Sequence, residues 1–164
     1  IVAIETELNY VKNPFNKASL NSKLLNLNGD TLLLKDILKL SKNNIKSIDF
    51  WASWCTPCIN EIIIGDTNRK EISENNNVQW FYFSMDKNKD EWIKKSKELS
   101  AYGLMNNQYL ILDLKNSELR KFLNVSSIPR YVILDRKDRI VNANAPRPSF
   151  ENKFEKIING IDSK

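Results

Sequence analysis

The feature that most constrains this 164-residue chain is a pair of cysteines, Cys55 and Cys58, directly after an apolar segment over residues 45–52. Pro57 lies between them, where the first turn of a helix tolerates proline because no amide donor is needed there. A helix that starts here would place Cys55 at its N-terminus, where free amides and the helix dipole favour a thiolate. Cys58 would lie one turn further on, close enough to form a disulfide with Cys55. This arrangement indicates a dithiol that makes and breaks disulfide bonds.

The cysteine count argues against the main alternative, a zinc site. The chain contains two cysteines and no histidine. A tetrahedral zinc site usually needs four such ligands, so we expect no metal, and the proposed chemistry needs no organic cofactor. Both cysteines belong to the motif, which leaves none for a separate structural disulfide.

Two sequence motifs resemble the thioredoxin superfamily. Residues 50–61 (FWASWCTPCINE) are similar to the active site of the TlpA/ResA-like thiol-disulfide oxidoreductases. Residues 127–135 (SIPRYVILD) resemble the strand of that family that follows a cis-proline. The resemblance implies a thioredoxin-like α/β fold, in which helices flank a central mixed β-sheet, with an N-terminal β-hairpin and a central insertion.

Local patterns predict the elements of such a fold. Apolar runs on either side of Asn28-Gly29 predict a hairpin over residues 25–34. Residues 45–52 and 78–85 are predicted to be buried strands, and Ser149 is predicted to cap the last helix. The helix over residues 55–68 carries Ile63 where the family often has a kinking proline. This helix is therefore expected either to be straighter or to break early at Gly65.

Length and composition predict a single globular domain. With 41% hydrophobic residues the chain can bury a core, and we expect one thioredoxin-like domain over residues 23–164. Residues 1–22 show no clear period, and Pro14 and several asparagines predict an irregular lead-in. The chain begins at Ile1 and not at Met, so we expect a processed or truncated fragment.

The charge pattern limits the expected partners. The net charge is +5, but lysines and arginines are scattered, which argues against a nucleic-acid partner. No apolar run is long enough to span a membrane, so a membrane tether would have to come from a segment before Ile1. The family resemblance implies an extracytoplasmic location, in the periplasm or on the outer face of a membrane.

The resemblance assigns roles to four residues. Cys55 corresponds to the nucleophile and Cys58 to the resolving thiol. Glu61, one helical turn beyond Cys58, corresponds to a glutamate that tunes the cysteines. Asp49 matches the buried aspartate of thioredoxins, where a carboxylate with a raised pKa takes the proton of Cys58. Without histidine, these two carboxylates are the acid/base candidates closest in sequence to the cysteines.

Five further residues are expected to contact substrate. Trp54, Thr56 and Pro57 lie beside the cysteines in sequence. Pro129 matches the cis-proline of the family, and a cis bond would present the backbone of Ile128 to an extended substrate. Trp51 and Trp54 are more often packing residues than substrate anchors, although Trp54, next to Cys55, is expected to be partly exposed.

The predicted activity is reduction of disulfides in proteins, with an external thiol donor that reduces the cysteine pair again. The first cation after the cysteines, Arg69, lies beyond the first helical turns, so the helix N-terminus is expected to be the main stabiliser of the Cys55 thiolate. This favours a reducing couple. The alternatives are a disulfide oxidase or isomerase on the same fold and a non-catalytic binding module.

Overall fold

The computed structural model describes residues 13–161 of the chain. Eight strands form one sheet; in chain order they are β1 (Asn13–Pro14), β2 (Lys23–Asn26), β3 (Thr31–Leu33), β4 (Ile45–Trp51), β5 (Val78–Ser84), β6 (Gln108–Ile111), β7 (Arg130–Leu134) and β8 (Arg139–Ala145). Their order across the sheet is β1-β8-β7-β4-β5-β6-β2-β3. The β4–β5 and β5–β6 pairs are parallel and the other pairs are antiparallel. The predicted mixed sheet is confirmed.

Helices cover both faces of this sheet. They are α1 (Lys17–Leu20), α2 (Leu34–Lys39), α3 (Thr56–Ile64), α4 (Asp66–Asn76), α5 (Lys89–Glu98), α6 (Glu118–Phe122) and α7 (Lys153–Ile161), with short 3₁₀ turns at Ser100–Tyr102 and Leu114–Asn116. In the described part of the chain, no helix is long and apolar enough to cross a membrane. The α/β architecture agrees with the family resemblance.

The alternation of side chains along β4 divides the core into two layers. Ile48 and Phe50 point into a cluster that includes residues of α2 and α6. Ile45 and Trp51 point into the other cluster, which includes both cysteines and residues of α3, α4 and α7. Successive strand residues face opposite sides of a sheet, so Asp49 lies on the same face as Ile45 and Trp51. Asp49 and the cysteines therefore share one layer.

The N-terminal hairpin forms where the sequence predicts it. Leu24 of β2 pairs with Leu32 of β3. Asn26 closes the turn because its side-chain oxygen accepts the backbone N–H groups of Asn28 and Asp30, each at 2.9 Å. Gly29 adopts φ +90°, a left-handed conformation that glycine allows without strain.

The described part of the predicted irregular lead-in contains regular structure. Asn13–Pro14 pairs with β8, and Lys17–Leu20 forms one helical turn. The side chain of Asn16 caps this turn by accepting the N–H of Ser19 at 2.8 Å, a local signal that the asparagine-rich sequence contained. Residues 1–12 lie outside the described residues, and the domain boundary at residue 23 stays a prediction.

The helix predicted over residues 55–68 breaks at Gly65, so the alternative of a straighter helix is wrong. Helix α3 ends at Ile64 and α4 begins at Asp66. A Cβ atom at Gly65 would lie 2.8 Å from the backbone oxygen of Glu61 and 3.1 Å from Nη1 of Arg69. Glycine therefore allows the two helices to meet without a loop.

The predicted cap of the last helix is also wrong. Helix α7 begins at Lys153, four residues after Ser149. A serine before an apolar run has the local signature of a cap, but the side chain of Ser149 hydrogen-bonds Glu61 of α3. The hydroxyl of Ser149 therefore binds a residue 88 positions earlier in the chain and not the N-terminus of α7.

The break at Gly65 generates a stability prediction. We expect Gly65→Ala to lower the free energy of unfolding by about 1–3 kcal/mol, because backbone atoms must shift to accept the new methyl group. Urea unfolding monitored by circular dichroism measures this loss.

Gly160→Ala, in α7, is the matched control, because a Cβ there would meet nothing within 4 Å. Alanine is favoured over glycine in helices by up to about 1 kcal/mol, so this variant should lose no stability. Equal losses in the two variants would contradict the role assigned to Gly65.

Candidate active site

The two cysteines lie at the start of helix α3. Cys55 is the N-cap residue, and its sulfur accepts the backbone N–H of Cys58 at 3.3 Å. A disulfide joins the two residues, whose Cα atoms are 5.3 Å apart. Cys55 is 4% exposed and Cys58 is 1% exposed. Cys55 is thus the slightly more exposed residue of the pair and lies at the helix end that stabilises negative charge.

The turn before Cys55 is fixed by a buried aspartate that the sequence analysis did not assign to the site. Asp86 accepts hydrogen bonds from the backbone N–H and the hydroxyl of Ser53 at 2.9 and 2.6 Å. It also accepts the hydroxyl of Ser84 at 2.6 Å. These bonds connect the end of β5 to the turn that carries Trp54 and Cys55. The sequence signal that could have identified Asp86 is its position directly after a predicted buried strand.

Four of the five residues predicted to contact substrate lie at or near the surface. Trp54 is 67% exposed, Thr56 and Pro57 are exposed, and Ile128 is half-buried. Trp54 and Ile128 line a cavity of about 810 Å³, of which Thr56 and Pro57 are not part.

The fifth residue, Pro129, is half-buried and is also not part of the cavity lining. The Ile128–Pro129 peptide bond is cis. Met85 and Leu114 also line the cavity, together with the charged groups of Lys87 and Glu91. Most of the surface that lines this groove is apolar, and the charged groups on it are of both signs.

Asp49 is buried in the layer that contains the cysteines. It is 1% exposed and pairs in register with Tyr82 of β5 and Tyr131 of β7. Among residues 13–161, no group hydrogen-bonds either of its carboxylate oxygens. Burial raises its pKa from 3.8 to about 7; Arg69 opposes this rise and Glu61 adds to it. The group can therefore gain and lose a proton near neutral pH.

Glu61 is buried and has a partner that the sequence did not predict. It is 5% exposed and not on a solvated helix face. Its Oε1 accepts the backbone N–H of Ser149 at 2.9 Å, and its Oε2 accepts the hydroxyl of Ser149 at 2.7 Å. Both carboxylate oxygens are thus occupied as acceptors, in contrast to those of Asp49.

Arg69 is a buried cation in the same layer, and the sequence analysis treated it as remote from the cysteines. It is 4% exposed, and its guanidinium donates to the backbone oxygens of Glu61 at 3.2 Å and Ile62 at 2.5 Å. These oxygens belong to the C-terminal part of α3, whereas Cys55 is at the N-terminus. Arg69 thus lies at the far end of α3 from Cys55 and acts on the pKa of Asp49. An arginine four residues after Gly65 carries no local signal of this position.

The two tyrosines beside Asp49 stay neutral. Burial raises the pKa of Tyr82 to about 12, with Arg69 opposing and Asp49 adding to the rise. Burial also raises the pKa of Tyr131, and Asp49 and Glu61 raise it further. The titrating group among these neighbours is therefore Asp49.

No group of three or more potential metal ligands occurs within residues 13–161. The chemistry that these side chains can perform is proton transfer beside a dithiol. Cys55 can attack a disulfide, Cys58 can resolve the product, and Asp49 can take up a proton.

Known proteins resemble this chain in sequence and fold. The profile of the Redoxin family matches residues 13–158. The crystal structure of a proposed thiol-disulfide oxidoreductase from Bacteroides vulgatus is 28% identical, with a TM-score of 0.66 over 85% of this chain and 90% of that chain. The solution structure of a proposed thiol-disulfide oxidoreductase from the same organism is 27% identical, with a TM-score of 0.66 over 92% of each chain.

A thiol:disulfide interchange protein from Bacteroides sp. is 20% identical, with a TM-score of 0.65 over 85% of this chain and 86% of that chain. At this level of identity the similarity concerns the fold alone. A comparison with curated proteins gives no significant match. The matches to the family and to the Bacteroides vulgatus structures extend over nearly all of the described residues.

The raised pKa of Asp49 generates a prediction about stability and pH. In the pH range between 3.8 and about 7, the folded protein holds a proton at Asp49 that the unfolded chain releases. Stability from this group is therefore lost as the pH rises through that range. The difference in free energy of unfolding between Asp49→Asn and the wild type should therefore change with pH. It should shift in favour of the variant by roughly 2–4 kcal/mol from about pH 4 to about pH 8. Urea unfolding of the oxidised protein measures this gain.

Asp86→Asn is the matched control, because Asp86 is equally buried but accepts three hydrogen bonds. It should be destabilised at both pH values, by about 1–3 kcal/mol, because an amide has one acceptor oxygen where the carboxyl group has two. The same pH dependence in Asp49→Asn and in the wild type would show that Asp49 does not titrate as described.

Proposed function

Since the chain belongs to the Redoxin family, we propose that it is a thiol-disulfide oxidoreductase and that it works as a reductase of disulfides in proteins. The observation that carries this proposal is the position of Cys55. It caps helix α3, its sulfur accepts an amide N–H, and its disulfide partner Cys58 lies one turn deeper. This is the geometry of an attacking thiolate followed by a resolving thiol.

The proposed reaction begins with the reduced pair. The Cys55 thiolate attacks one sulfur of a substrate disulfide, so that a mixed disulfide forms and the other substrate sulfur leaves as a thiolate. Cys58 then loses its proton and attacks the sulfur of Cys55. The Cys55–Cys58 disulfide forms, the second substrate thiolate leaves, and two electrons have passed to the substrate. A thiol donor outside the chain must reduce the pair again, because the chain has no third cysteine.

We assign the proton of Cys58 to Asp49 and not to Glu61. Asp49 faces the layer of the cysteines, has no hydrogen-bond partner among the described residues, and has a pKa of about 7. A general base works best when its pKa lies near the working pH. Both oxygens of Glu61 already accept hydrogen bonds from Ser149, so we assign Glu61 the role of a positioned carboxylate that tunes Asp49.

The surface around the cysteines suits a polypeptide substrate. Trp54 and Ile128 flank the mouth of the groove, and Thr56 and Pro57 are exposed beside Cys55. We propose that an extended segment of the substrate passes between Trp54 and the backbone of Ile128 and Pro129. The TlpA/ResA-like sequence motifs support an extracytoplasmic location, in the periplasm or on the outer face of a membrane.

The proposed direction of the reaction rests on what surrounds Cys55. The intervening residues Thr56 and Pro57 carry no charge, and Arg69 contacts the opposite end of α3. The helix N-terminus is thus the main stabiliser of the thiolate, so the reduced state is only moderately favoured. We expect a reduction potential nearer about −270 mV, as in thioredoxin, than about −120 mV, as in a strong periplasmic oxidant.

Two assays test this function together. The protein should reduce the disulfides of insulin in the presence of dithiothreitol, and Cys55→Ser should abolish the reaction. Equilibration of the wild type with dithiothreitol and glutathione buffers measures its reduction potential. A midpoint near that of the strong oxidant would indicate an oxidase, and absence of turnover would indicate a binding module; either result would refute the proposed reductase.

A further inference from the structure

Ser149 connects two regions that are far apart in the sequence. It lies between β8 and α7, 88 residues after Glu61, and its backbone N–H and hydroxyl bind the two carboxylate oxygens of Glu61. The preceding residue is held as well, because the side-chain amide of Asn68 donates to the backbone oxygen of Pro148 at 3.2 Å. The segment that carries Ser149 is therefore anchored to both α3 and α4, and the orientation of the Glu61 carboxylate is fixed.

Arg69 approaches the same helix from α4. It donates to the backbone oxygens of Glu61 and Ile62, while Ser149 binds the carboxylate of Glu61. The Cβ position of Gly65 lies 3.1 Å from Nη1 of Arg69 and 3.2 Å from Oε1 of Glu61. One buried cation and one buried carboxylate are thus held close together at the C-terminal end of α3.

These two charges act on the buried carboxyl group of Asp49 in opposite directions. Glu61 raises the pKa of Asp49, and Arg69 lowers it. Titratable and charged groups on the elements packed around it are Cys58 and Glu61 of α3, Asp66 and Arg69 of α4, Tyr82 of β5, Tyr131 of β7 and Arg147 after β8. The tyrosines are neutral, and Asp66 and Arg147 act on the tyrosines. Glu61 and Arg69 are therefore the charges that act directly on Asp49.

We propose that Ser149 and Arg69 are positioning residues that act on Asp49 in opposite directions. Ser149 fixes the carboxylate of Glu61, Arg69 presents a cation, and together they set the pH range in which Cys58 can give up its proton. The inference rests on the proposed function, because it concerns the proton transfer of that reaction. It adds two residues that neither cysteine chemistry nor the sequence motifs identify.

The test for Ser149 compares alanine with threonine. In Ser149→Ala, Glu61 loses one of the two hydrogen bonds that fix its orientation, so its carboxylate can turn away from Asp49 and repel the Asp49 charge less. The pH midpoint of insulin reduction should fall by about half a unit. Ser149→Thr keeps a hydroxyl and should restore the wild-type midpoint.

The test for Arg69 predicts the opposite sign. Arg69→Gln removes the cation, so the midpoint should rise by about one unit. Arg69→Lys keeps the charge and should move the midpoint less. Circular dichroism checks that each variant folds; if Arg69→Gln does not, the Ser149 variants decide the proposal.

A double variant tests whether Ser149 acts through Glu61. In a Glu61→Gln background, Ser149→Ala should cause no further shift, because the charge that Ser149 positions is absent. An equal shift in both backgrounds would show that Ser149 acts by another route and would overturn this part of the proposal.

Titration of the Asp49 carboxyl carbon by NMR separates failure of this inference from failure of the proposed function. Without any substrate, the pH midpoint of this titration should shift downward in Ser149→Ala and upward in Arg69→Gln, as the midpoint of insulin reduction does. Active variants with unchanged midpoints and unchanged NMR titrations would overturn the positioning roles. A wild type that reduces no insulin at any pH would overturn the proposed function, while the NMR shifts would still test the inference.

Discussion

A buried carboxyl group without a hydrogen-bond partner is the constraint on which this site depends. Asp49 lies on the central strand β4, and no described residue hydrogen-bonds its carboxylate. Removal of a carboxylate from water disfavours its charged form, which raises the pKa of Asp49 to about 7. An aspartate at the surface would be ionised throughout the neutral range. Burial thus creates a group that changes charge near neutral pH.

The helices that cover this face of the sheet control the charges around Asp49. The break at Gly65 lets Arg69 return to the backbone of α3, and Ser149 binds the carboxylate of Glu61 from the segment between β8 and α7. Each of these contacts also joins separate elements of the fold. Packing and electrostatics are therefore coupled here: a substitution that loosens the helices also changes the field at Asp49.

Sequence patterns predicted the parts of the molecule that local rules determine. The Asn28-Gly29 turn, the buried strand β4 and the helix that starts after Cys55 each depend on a few adjacent residues. The roles of Arg69 and Ser149 depend on partners 8 and 88 residues away, and that of Asp86 on Ser53, 33 residues away. No periodicity or spacing encodes such pairs. The wrong assignment of Ser149 as a helix cap shows the limit directly, because a local signature was replaced by a tertiary bond.

The central claim is that Asp49 takes the proton of Cys58 when the mixed disulfide resolves. The most direct measurement prepares the mixed disulfide between Cys55 and a peptide thiol and follows its resolution by stopped flow from about pH 5 to about pH 9. The account predicts a wild-type rate that rises through a midpoint near the pKa of Asp49, about 7, and an Asp49→Asn variant that is slower and lacks that midpoint. The same rate and the same pH profile in both proteins would contradict it.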